Sequence, residues 1–265
     1  GPQGLRFLGK GSGQALSPLV APMFAWRAAL IQRVMPRVAA WMALTSFVAD
    51  WHLAYGFPAE RMHVVPQGIE LPPEEGGHVA VQAPSQNGRP ASTFAYIGGL
   101  AQQKGVHVLI DAFNELPPSA RLKIVGDETA FPDYCTLLRS KATHPGIEFV
   151  GRLDRDGVWQ TLGQTDVLIV PSLWYETSSL VVQEAFATGT PVVAADHGAL
   201  AERVQHETNG LLTPPGDGLA LPRALHRLMD DPGLLARLRS GIQPVVELAQ
   251  HLRGVEQVYR QVLAG

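Results

Sequence analysis

Cysteine is almost absent from this chain of 265 residues, because Cys135 is the single one. A single cysteine excludes a disulfide within the chain, and cysteine usage this low fits a reducing compartment, so we expect a cytoplasmic protein. Cys135 lies in an apolar helical stretch, which favours a small buried side chain over a reactive nucleophile.

Long hydrophobic runs and strong net charge are missing as well. No apolar run reaches the roughly 18 residues that a membrane-spanning helix needs, since the best candidate, residues 15–31, contains Pro18, Pro22 and Arg27. No secretory signal is visible. The net charge is only −3, which gives no electrostatic reason to expect nucleic-acid binding. The composition, 46% hydrophobic and 17% charged, is typical of a soluble globular protein.

Several familiar site motifs are absent too. No His or Cys cluster has the spacing of metal ligands, so the sequence predicts no metal site. The loop after the first regular strand, GGLAQQKG, lacks the G-x-G-x-x-G spacing of NAD-binding domains and the G-K-S or G-K-T of P-loop enzymes. An oxidoreductase or a P-loop enzyme is therefore disfavoured.

Six short apolar segments are present, and helical patterns lie between them. The segments are TFAYIG, RLKIVG, IEFVG, DVLIVP, PVVAA and NGLLT. Strands that alternate with helices and are apolar throughout predict a parallel sheet with helices on both faces, an α/β Rossmann-like fold. Ligands of such sheets bind at the carboxyl ends of the strands. Residues 1–14 are Gly-rich and residues 71–92 are rich in Pro, Gly, Gln and Ser, so we expect both to be flexible.

Residues 171–194, PSLWYETSSLVVQEAFATGTPVVA, are the most informative stretch. A buried strand precedes a polar loop that carries Glu176, and a helix predicted to start near Ser178 or Ser179 carries Glu184 on its second turn. A helix N-terminus presents unpaired N–H groups and binds anions, here through Ser178, Ser179 and Leu180. Carboxylates beside it accept hydrogen bonds from hydroxyls. A phosphate joined to sugars, as in a nucleotide sugar, fits both features.

The same stretch resembles the E-x-x-x-x-x-x-x-E signature of the retaining glycosyltransferases of family four, which have the GT-B fold. Three more segments resemble the family in its order, with plausible spacing. They are YIGGLAQQKG at 96–105, FVGRL at 149–153 and NGLLTPPGD at 209–217. The resemblance covers roughly residues 60–265.

The resemblance implies a domain division and a function. Residues 1–70 would be the remnant of an acceptor-side N-terminal domain with the interdomain linker. Residues 71–250 would be the Rossmann-like nucleotide-sugar domain, and 251–265 a helix crossing back. The implied activity is sugar transfer from a UDP-, GDP- or ADP-sugar to a carbohydrate or lipid-linked acceptor, with retention and no cofactor, in surface polysaccharide or glycolipid synthesis. The chain begins Gly-Pro rather than Met, so we expect part of a longer protein, inactive alone.

The resemblance also assigns roles to residues. It implies that Glu184 binds the ribose hydroxyls. It also implies that Glu176 is the catalytic residue, contacting the donor sugar close to the reacting carbon. Lys104, with Gly98 and Gly99, would bind the diphosphate. Gly151, Arg152 and Leu153 would form the nucleobase turn. The family usually has Arg where this chain has Gly99, so either another cation substitutes, such as Arg152, or the site is weaker.

Two other functions stay open at this point. One is a non-catalytic or degenerate domain that binds nucleotide sugars, which Gly99 favours. The other is a nucleotide-sugar epimerase of the GT-B fold, which the paired-glutamate helix disfavours.

Residues 11–49 contain no acidic residue but include Arg27, Arg33 and Arg37, with aromatic and aliphatic residues between them. Such a segment either lies on an anionic membrane, at its inner face, or packs on protein. Packing is favoured, because Pro22 and Pro36 are expected to interrupt the amphipathic pattern.

Overall fold

The computed structural model describes residues 20–71 and 91–264, so the predictions of flexibility for 1–14 and for most of 71–92 lie outside the described residues. The described elements begin with helix α1 at Val20–Val34, strand β1 at Trp41–Ala43, helix α2 at Ser46–Ala54 and strand β2 at Met62–Val64. The main domain then starts with strand β3 at Thr93–Ile97.

Five further strands and eight further helices follow in near-strict alternation. The elements after β3 are α3 at Val106–Phe113, β4 at Arg121–Val125, α4 at Pro132–Lys141, β5 at Ile147–Gly151, α5 at Arg155–Gly163, β6 at Val167–Val170, α6 at Leu180–Ala187, β7 at Val192–Ala195, α7 at Gly198–Arg203, β8 at Gly210–Thr213, α8 at Ala220–Asp230, α9 at Pro232–Ser240 and α10 at Leu248–Ala264. All six predicted strands are present.

The six strands form one parallel sheet in the order β5-β4-β3-β6-β7-β8. Alternate residues along a strand enter opposite cores, because side chains of a strand point to opposite faces. Phe94 and Tyr96 pack with Phe113 on one face, whereas Ala95 packs with Leu168 on the other. Burial on both faces explains why the strands read as apolar throughout rather than as an alternating pattern.

A buried carboxylate ties the amino ends of β3 and β6 together. Oδ2 of Asp166 accepts hydrogen bonds from the backbone N–H groups of Ser92 and Thr93, both at 3.0 Å, and from Oγ1 of Thr93 at 2.8 Å. Oδ1 accepts from Nη2 of Arg239 at 3.2 Å. A charge this deep is tolerated because its oxygens are hydrogen-bonded and a guanidinium lies beside it.

The short parallel pair β1 and β2, with α2 packed on it, forms a second unit. From the sequence, Ser46 is expected to cap α2. In the structure Thr45 caps it instead, because the side chain of Thr45 accepts a hydrogen bond from the N–H of Val48 and Ser46 is the first helical residue. The backbone of Thr45 is extended, as a capping position requires. Gly56 follows the helix with a φ of +87°, a left-handed conformation that glycine adopts without a steric penalty.

Helix α1 has no buried residue, and Met23 and Trp26 are 67% and 69% exposed. Pro22 does not interrupt this helix, contrary to expectation. It lies in the first turn, where N–H groups lack intrahelical partners anyway. Pro36 belongs to the 3-10 turn that follows the helix. An apolar cavity of about 410 Å³ lies between α1 and α2.

The last helix, α10, reaches back to the residues that follow β2. His251 Nδ1 lies 2.9 Å from the carbonyl oxygen of Pro66, and Ile69 forms a bridge with Glu247. The crossing of residues 251–265 back toward an N-terminal domain, which the resemblance implied, stays a prediction. The division at residues 70 and 250 stays a prediction.

Candidate functional site

The sheet has a topological switch point between β3 and β6. The chain moves outward from β3 through β4 to β5, and on the other side from β6 through β7 to β8. The loops that leave the carboxyl ends of β3 and β6 therefore diverge, and such a crevice is where open α/β sheets bind ligands. Lys104 follows β3 and Glu176 follows β6.

These two loops interlock. The carbonyl oxygen of Gln103 accepts hydrogen bonds from the N–H groups of Leu173 at 2.8 Å and Trp174 at 3.2 Å. Gly105 has a φ of +72°, and a Cβ at this position would overlap the carbonyl oxygen of Pro171. Only glycine suits this point. The close approach fixes the position of Lys104 relative to the loop that carries Glu176.

Lys104 and Glu176 are in direct contact. Nζ of Lys104 lies 2.8 Å from Oε1 of Glu176, and Oγ of Ser172 donates to the same oxygen at 2.6 Å. The pair is partly buried, with side-chain exposures of 36% for Lys104 and 17% for Glu176. Sequence reasoning placed both residues at this sheet edge. It missed Ser172, which no motif singled out.

Helix α6 points its N-terminus toward the same loop. It begins at Leu180, and Ser179 is its N-cap without a side-chain capping bond or an acidic residue in the first turn. Its first N–H groups therefore remain available to an anion. Oγ of Ser178 accepts a long hydrogen bond of 3.4 Å from Nη2 of Arg203, and burial lowers the pKa of that guanidinium.

Glu184 lies one turn into α6, with a side chain that is 13% exposed. Burial raises the pKa of its carboxyl, and Arg155 partly opposes that rise. Nη1 of Arg155 lies 3.7 Å from Oε1 of Glu184, and Nη2 donates to the carbonyl oxygen of Glu70 at 2.7 Å. Arg152 was the substitute cation proposed from the sequence, whereas Arg155 was not singled out. Its place at the start of the helix after β5 was the available signal.

The loop after β3 leaves space where the family has a cation. The N–H of Gly98 donates to the carbonyl oxygen of Val125 at 3.0 Å, and Tyr96 Oη donates to that of Gly99 at 2.7 Å. A Cβ at Gly99 would meet nothing within 4 Å. The hydrogen bond from the buried Tyr96 side chain therefore fixes the backbone of the loop at Gly99. A side chain at position 99 would extend into open space.

The turn after β5 lies two strands away from β3. Gly151 has a φ of +83°, and its carbonyl oxygen accepts from the N–H of Gly126 at 3.0 Å. Arg152 is exposed and forms no hydrogen bond or ion pair with the described residues, whereas Leu153 is half-buried. This turn therefore offers backbone groups and one free cation of its own.

Asp127 follows β4, and its position in the sequence favours a cap of the next helix over a place in the crevice. The structure contradicts this expectation. Its Oδ1 accepts from the N–H of Thr129 at 2.8 Å and from Oγ1 of Thr129 at 2.6 Å, but α4 begins only at Pro132. The hydrogen bonds from Thr129 lower the pKa of the Asp127 carboxyl, with a smaller effect from Arg152. Asp127 stabilises a turn that precedes the helix.

Tyr175, next to Glu176, packs on helix α2 of the second unit, which consists of β1, α2 and β2. Its ring stacks on Phe47 with centroids 5.3 Å apart and lies 5.8 Å from Trp51 and 4.9 Å from His197. A lone His that follows a strand, as His197 does, is more often structural than catalytic, and here its Nε2 donates to the carbonyl oxygen of Ser172 at 2.8 Å. From its place in the loop, Tyr175 could either stack on a sugar or pack on a neighbouring domain. Its contacts with Phe47 and Trp51 favour packing on protein.

The unit that holds Tyr175 also contacts the rest of this loop. Thr45 Oγ1 donates to the carbonyl oxygen of Thr177 at 3.1 Å. The carboxylate of Glu202 accepts from the N–H groups of Ser46 and Phe47 at 3.0 and 2.9 Å. Residues 45–51 therefore help to fix the segment that carries Glu176.

In residues 20–71 and 91–264, no group of three or more His, Cys, Asp or Glu lies close enough to hold a metal ion. Asp154, which forms a D-x-D pair with Asp156, serves as the N-cap of α5 by accepting from the N–H of Gly157 at 2.8 Å. Cys135 is buried, and burial raises the pKa of its thiol. Within the same described residues, no helix has the length and apolar character needed to cross a membrane.

Comparison with known sequences finds one family match and many relatives. The family described as "Glycosyl transferases group 1" matches residues 91–231. D-inositol 3-phosphate glycosyltransferase of Xylanimonas cellulosilytica is 33% identical over 198 residues, which are 71% of this chain and 47% of that protein. Glycogen synthase of Mycobacterium tuberculosis is 34% identical over 145 residues, covering 54% of this chain and 35% of that one.

Solved structures show the same fold. Sucrose-phosphate synthase from Thermosynechococcus elongatus matches with a TM-score of 0.73 at 25% identity. The match covers 91% of this chain and 62% of the synthase chain. Anabaena HepE, in complex with UDP and glucose, has a TM-score of 0.68 at 23% identity, covering 88% and 64%. The predicted Rossmann-like α/β fold is confirmed. The chain spans about half the length of the first curated relatives it matches.

Proposed function

The chain belongs to the group 1 glycosyl transferases, and we propose that it is the donor-binding part of an enzyme that transfers a sugar from a nucleotide-diphosphate sugar with retention of configuration. One observation carries the proposal. A cation and a carboxylate, Lys104 and Glu176, lie 2.8 Å apart where the loops after β3 and β6 meet, beside an uncapped helix N-terminus. This combination suits a diphosphate joined to a sugar.

Each part of the crevice has a role in this proposal. The ammonium of Lys104 and the first N–H groups of α6 bind the diphosphate, and Gly98 and Gly99 allow it to approach the backbone. The carboxylate of Glu184 accepts hydrogen bonds from the ribose hydroxyls. The turn of Gly151, Arg152 and Leu153 receives the base. Lys104 and the helix N-terminus offset the phosphate charge, so the proposed reaction needs no metal ion.

The proposed chemical step exchanges one bond at the anomeric carbon. The bond from that carbon to the phosphate oxygen breaks, and a bond to the acceptor oxygen forms on the same face. The proton of the acceptor hydroxyl passes to the leaving phosphate oxygen. Glu176 positions the sugar and stabilises positive charge that develops on its ring.

The nucleotide and the acceptor are finer points of the proposal. Among structural relatives, HepE has been determined with UDP and with UDP-glucose, which makes these the first probes, with GDP and ADP beside them. One relative is the amylovoran biosynthesis glycosyltransferase AmsK of Erwinia amylovora, 29% identical over 184 residues. It supports a biosynthetic role for this chain, and we extend the proposal to a carbohydrate or lipid-linked acceptor, to surface polysaccharide or glycolipid synthesis and to a cytoplasmic location.

Membrane contact through residues 11–49 stays a prediction. Helix α1 exposes Met23 and Trp26 beside Arg27, and an anionic lipid surface suits such a composition. Sedimentation with anionic vesicles tests it. Binding that disappears when Arg27, Arg33 and Arg37 are replaced by Gln supports the membrane, whereas no binding, or binding unchanged by the three replacements, supports packing on protein.

Titration calorimetry of the 265-residue chain with UDP, GDP and ADP tests the donor site. We expect one of the three to bind, and binding to weaken in Lys104→Ala. A chain that binds none of them contradicts the proposed donor site. Incubating the full-length protein with UDP-glucose and a carbohydrate acceptor separates the remaining readings. A glycosylated acceptor with retained configuration supports transfer, an epimerised sugar supports an epimerase, and binding without either product supports a non-catalytic domain.

A further inference from the structure

Two donors share one oxygen of Glu176. Lys104 Nζ and Ser172 Oγ both contact Oε1, at 2.8 and 2.6 Å, whereas Oε2 receives no hydrogen bond from the described residues. Charge-assisted bonds of these lengths are strong. The carboxylate is therefore held through one oxygen, Oε1, which leaves Oε2 without a hydrogen bond from the described residues.

The two donors differ in how firmly they are held. Ser172 is 1% exposed, its carbonyl oxygen accepts from Nε2 of His197, and the next two N–H groups are bound by Gln103. Lys104 lies at the end of a three-residue 3-10 helix, its side chain is 36% exposed, and its four-carbon stem is flexible. Ser172 is a fixed donor, and Lys104 is a movable one.

We propose that Ser172 is a positioning residue that keeps Glu176 in place while Lys104 exchanges the carboxylate for the donor's diphosphate. The proposal rests on the donor site of the preceding subsection. Before the donor binds, Glu176 neutralises and holds Lys104. When the diphosphate arrives, Lys104 turns to it, and Ser172 alone retains Oε1. Glu176 then stays oriented, with Oε2 free for a sugar hydroxyl.

This exchange makes Glu176 a competitor of the diphosphate for Lys104. Replacing Glu176 by Ala frees Lys104 and removes a negative charge from the crevice, so we expect UDP to bind about fivefold more tightly. Replacing Ser172 by Ala leaves the carboxylate dependent on Lys104, so we expect UDP to bind about threefold more weakly. In the double variant no carboxylate remains for Ser172 to hold, and its affinity should equal that of Glu176→Ala.

The test is a double-mutant cycle on the 265-residue chain, with UDP affinity measured by calorimetry. Ser140→Ala is the matched control, because among the described residues its hydroxyl donates only to the carbonyl oxygen of Leu137, on an exposed part of α4. Ser172→Cys, which keeps the size but donates weakly, should give an intermediate affinity. It replaces Ser172→Ala in the cycle if that variant does not fold.

The outcomes separate the two proposals. An effect of Ser172→Ala that is the same with and without Glu176 overturns the positioning role, because a merely structural serine acts in both backgrounds. Unchanged or weaker UDP binding in Glu176→Ala overturns the competition for Lys104. A wild-type chain that binds none of UDP, GDP and ADP contradicts the donor site itself, and with it this inference.

Discussion

Arg155 and Glu184 lie on different helices, with Nη1 of one 3.7 Å from Oε1 of the other. The distance is too long for a strong hydrogen bond, and burial still raises the pKa of the carboxyl despite the cation. Glu184 is therefore a half-buried acid whose charge Arg155 compensates only in part. Acids whose charge is compensated only in part, and whose pKa is shifted as a result, cluster at ligand-binding and active sites.

The first prediction concerns stability and pH. A raised pKa in the folded state means that the charged form of Glu184 destabilises the fold. Well below the ordinary pKa of 4.5 the carboxyl is neutral and this destabilisation is absent. The destabilisation grows as the pH rises through and above 4.5. Glu184→Gln should therefore gain free energy of unfolding relative to the wild type between pH 4 and pH 7. Chemical denaturation at several pH values measures this gain. Glu256→Gln, on an exposed stretch of α10, is the control, and a gain that does not depend on pH contradicts the assignment.

The second prediction concerns nucleotide binding by the same residue. Glu184→Ala should weaken binding of the preferred nucleotide by about 1–3 kcal/mol, the usual scale for losing hydrogen bonds to a charged group. Calorimetry measures the change. Unchanged affinity would falsify the proposed ribose contact. Glu256→Ala, which removes an exposed carboxylate of α10 that pairs with Arg260, should bind as the wild type does.

The third prediction restores the family's usual cation. A side chain at Gly99 meets open space, so Gly99→Arg should fold normally and bind UDP about five- to tenfold more tightly through a charge-assisted bond to phosphate. Gly99→Gln has a similar reach without the charge and should give no such gain. If Arg and Gln variants bind alike, another cation already fills the role, and Arg152→Gln becomes the informative variant.

The fourth prediction concerns the contact between the two loops. Gly105→Ala places a side chain at a φ of +72° and against Pro171, so we expect a loss of about 1–3 kcal/mol in stability together with weaker UDP binding. Gly218 is the matched control, because its Cβ would meet nothing within 4 Å and its φ is not positive. Gly218→Ala should change the stability by less than about 0.5 kcal/mol. Equal effects of the two substitutions would show that the close approach at Gly105 is unimportant.

The fifth prediction tests the buried pair below the site. Asp166→Ala leaves Arg239, whose side chain is 4% exposed, without its carboxylate, and should destabilise the fold by about 3–5 kcal/mol. Asp111→Ala removes an exposed pair with Lys141 and should cost less than about 1 kcal/mol. Urea unfolding of the two variants gives the comparison. A similar small loss in both would mean that Asp166 does not stabilise the amino ends of β3 and β6.

The six strands and the helix that carries Glu184 could be predicted because their signals are local. These signals depend on only a few neighbouring residues: apolar runs, glycines at strand ends and small residues at a helix start. The local errors have local causes. Thr45 and Ser46 are both good capping residues, and only the backbone conformation decides between them. Asp127 precedes a helix closely enough to suggest a cap, but its carboxylate binds Thr129, which lies between Asp127 and the helix.

The contacts of the site could not be predicted in the same way. Lys104 and Glu176 are 72 residues apart and meet only because β3 and β6 are neighbours in the sheet, while the strands between them in sequence lie on one side. Ser172 carried no signal, since a serine after a strand is common. Arg155 and Tyr175 likewise find their partners on other elements.

The sequence by itself determined which segments become strands and helices, and therefore that the chemistry-bearing residues follow strand ends. The resemblance to the family added which of those segments are expected to bind the donor, because four motifs occur in the family's order. Only the tertiary structure decided which side chains touch. The choice between Arg152 and Arg155, or between a sugar and Phe47 as the partner of Tyr175, depends on distances between elements. Those distances are set by the packing of the whole sheet and its helices, which no local pattern encodes.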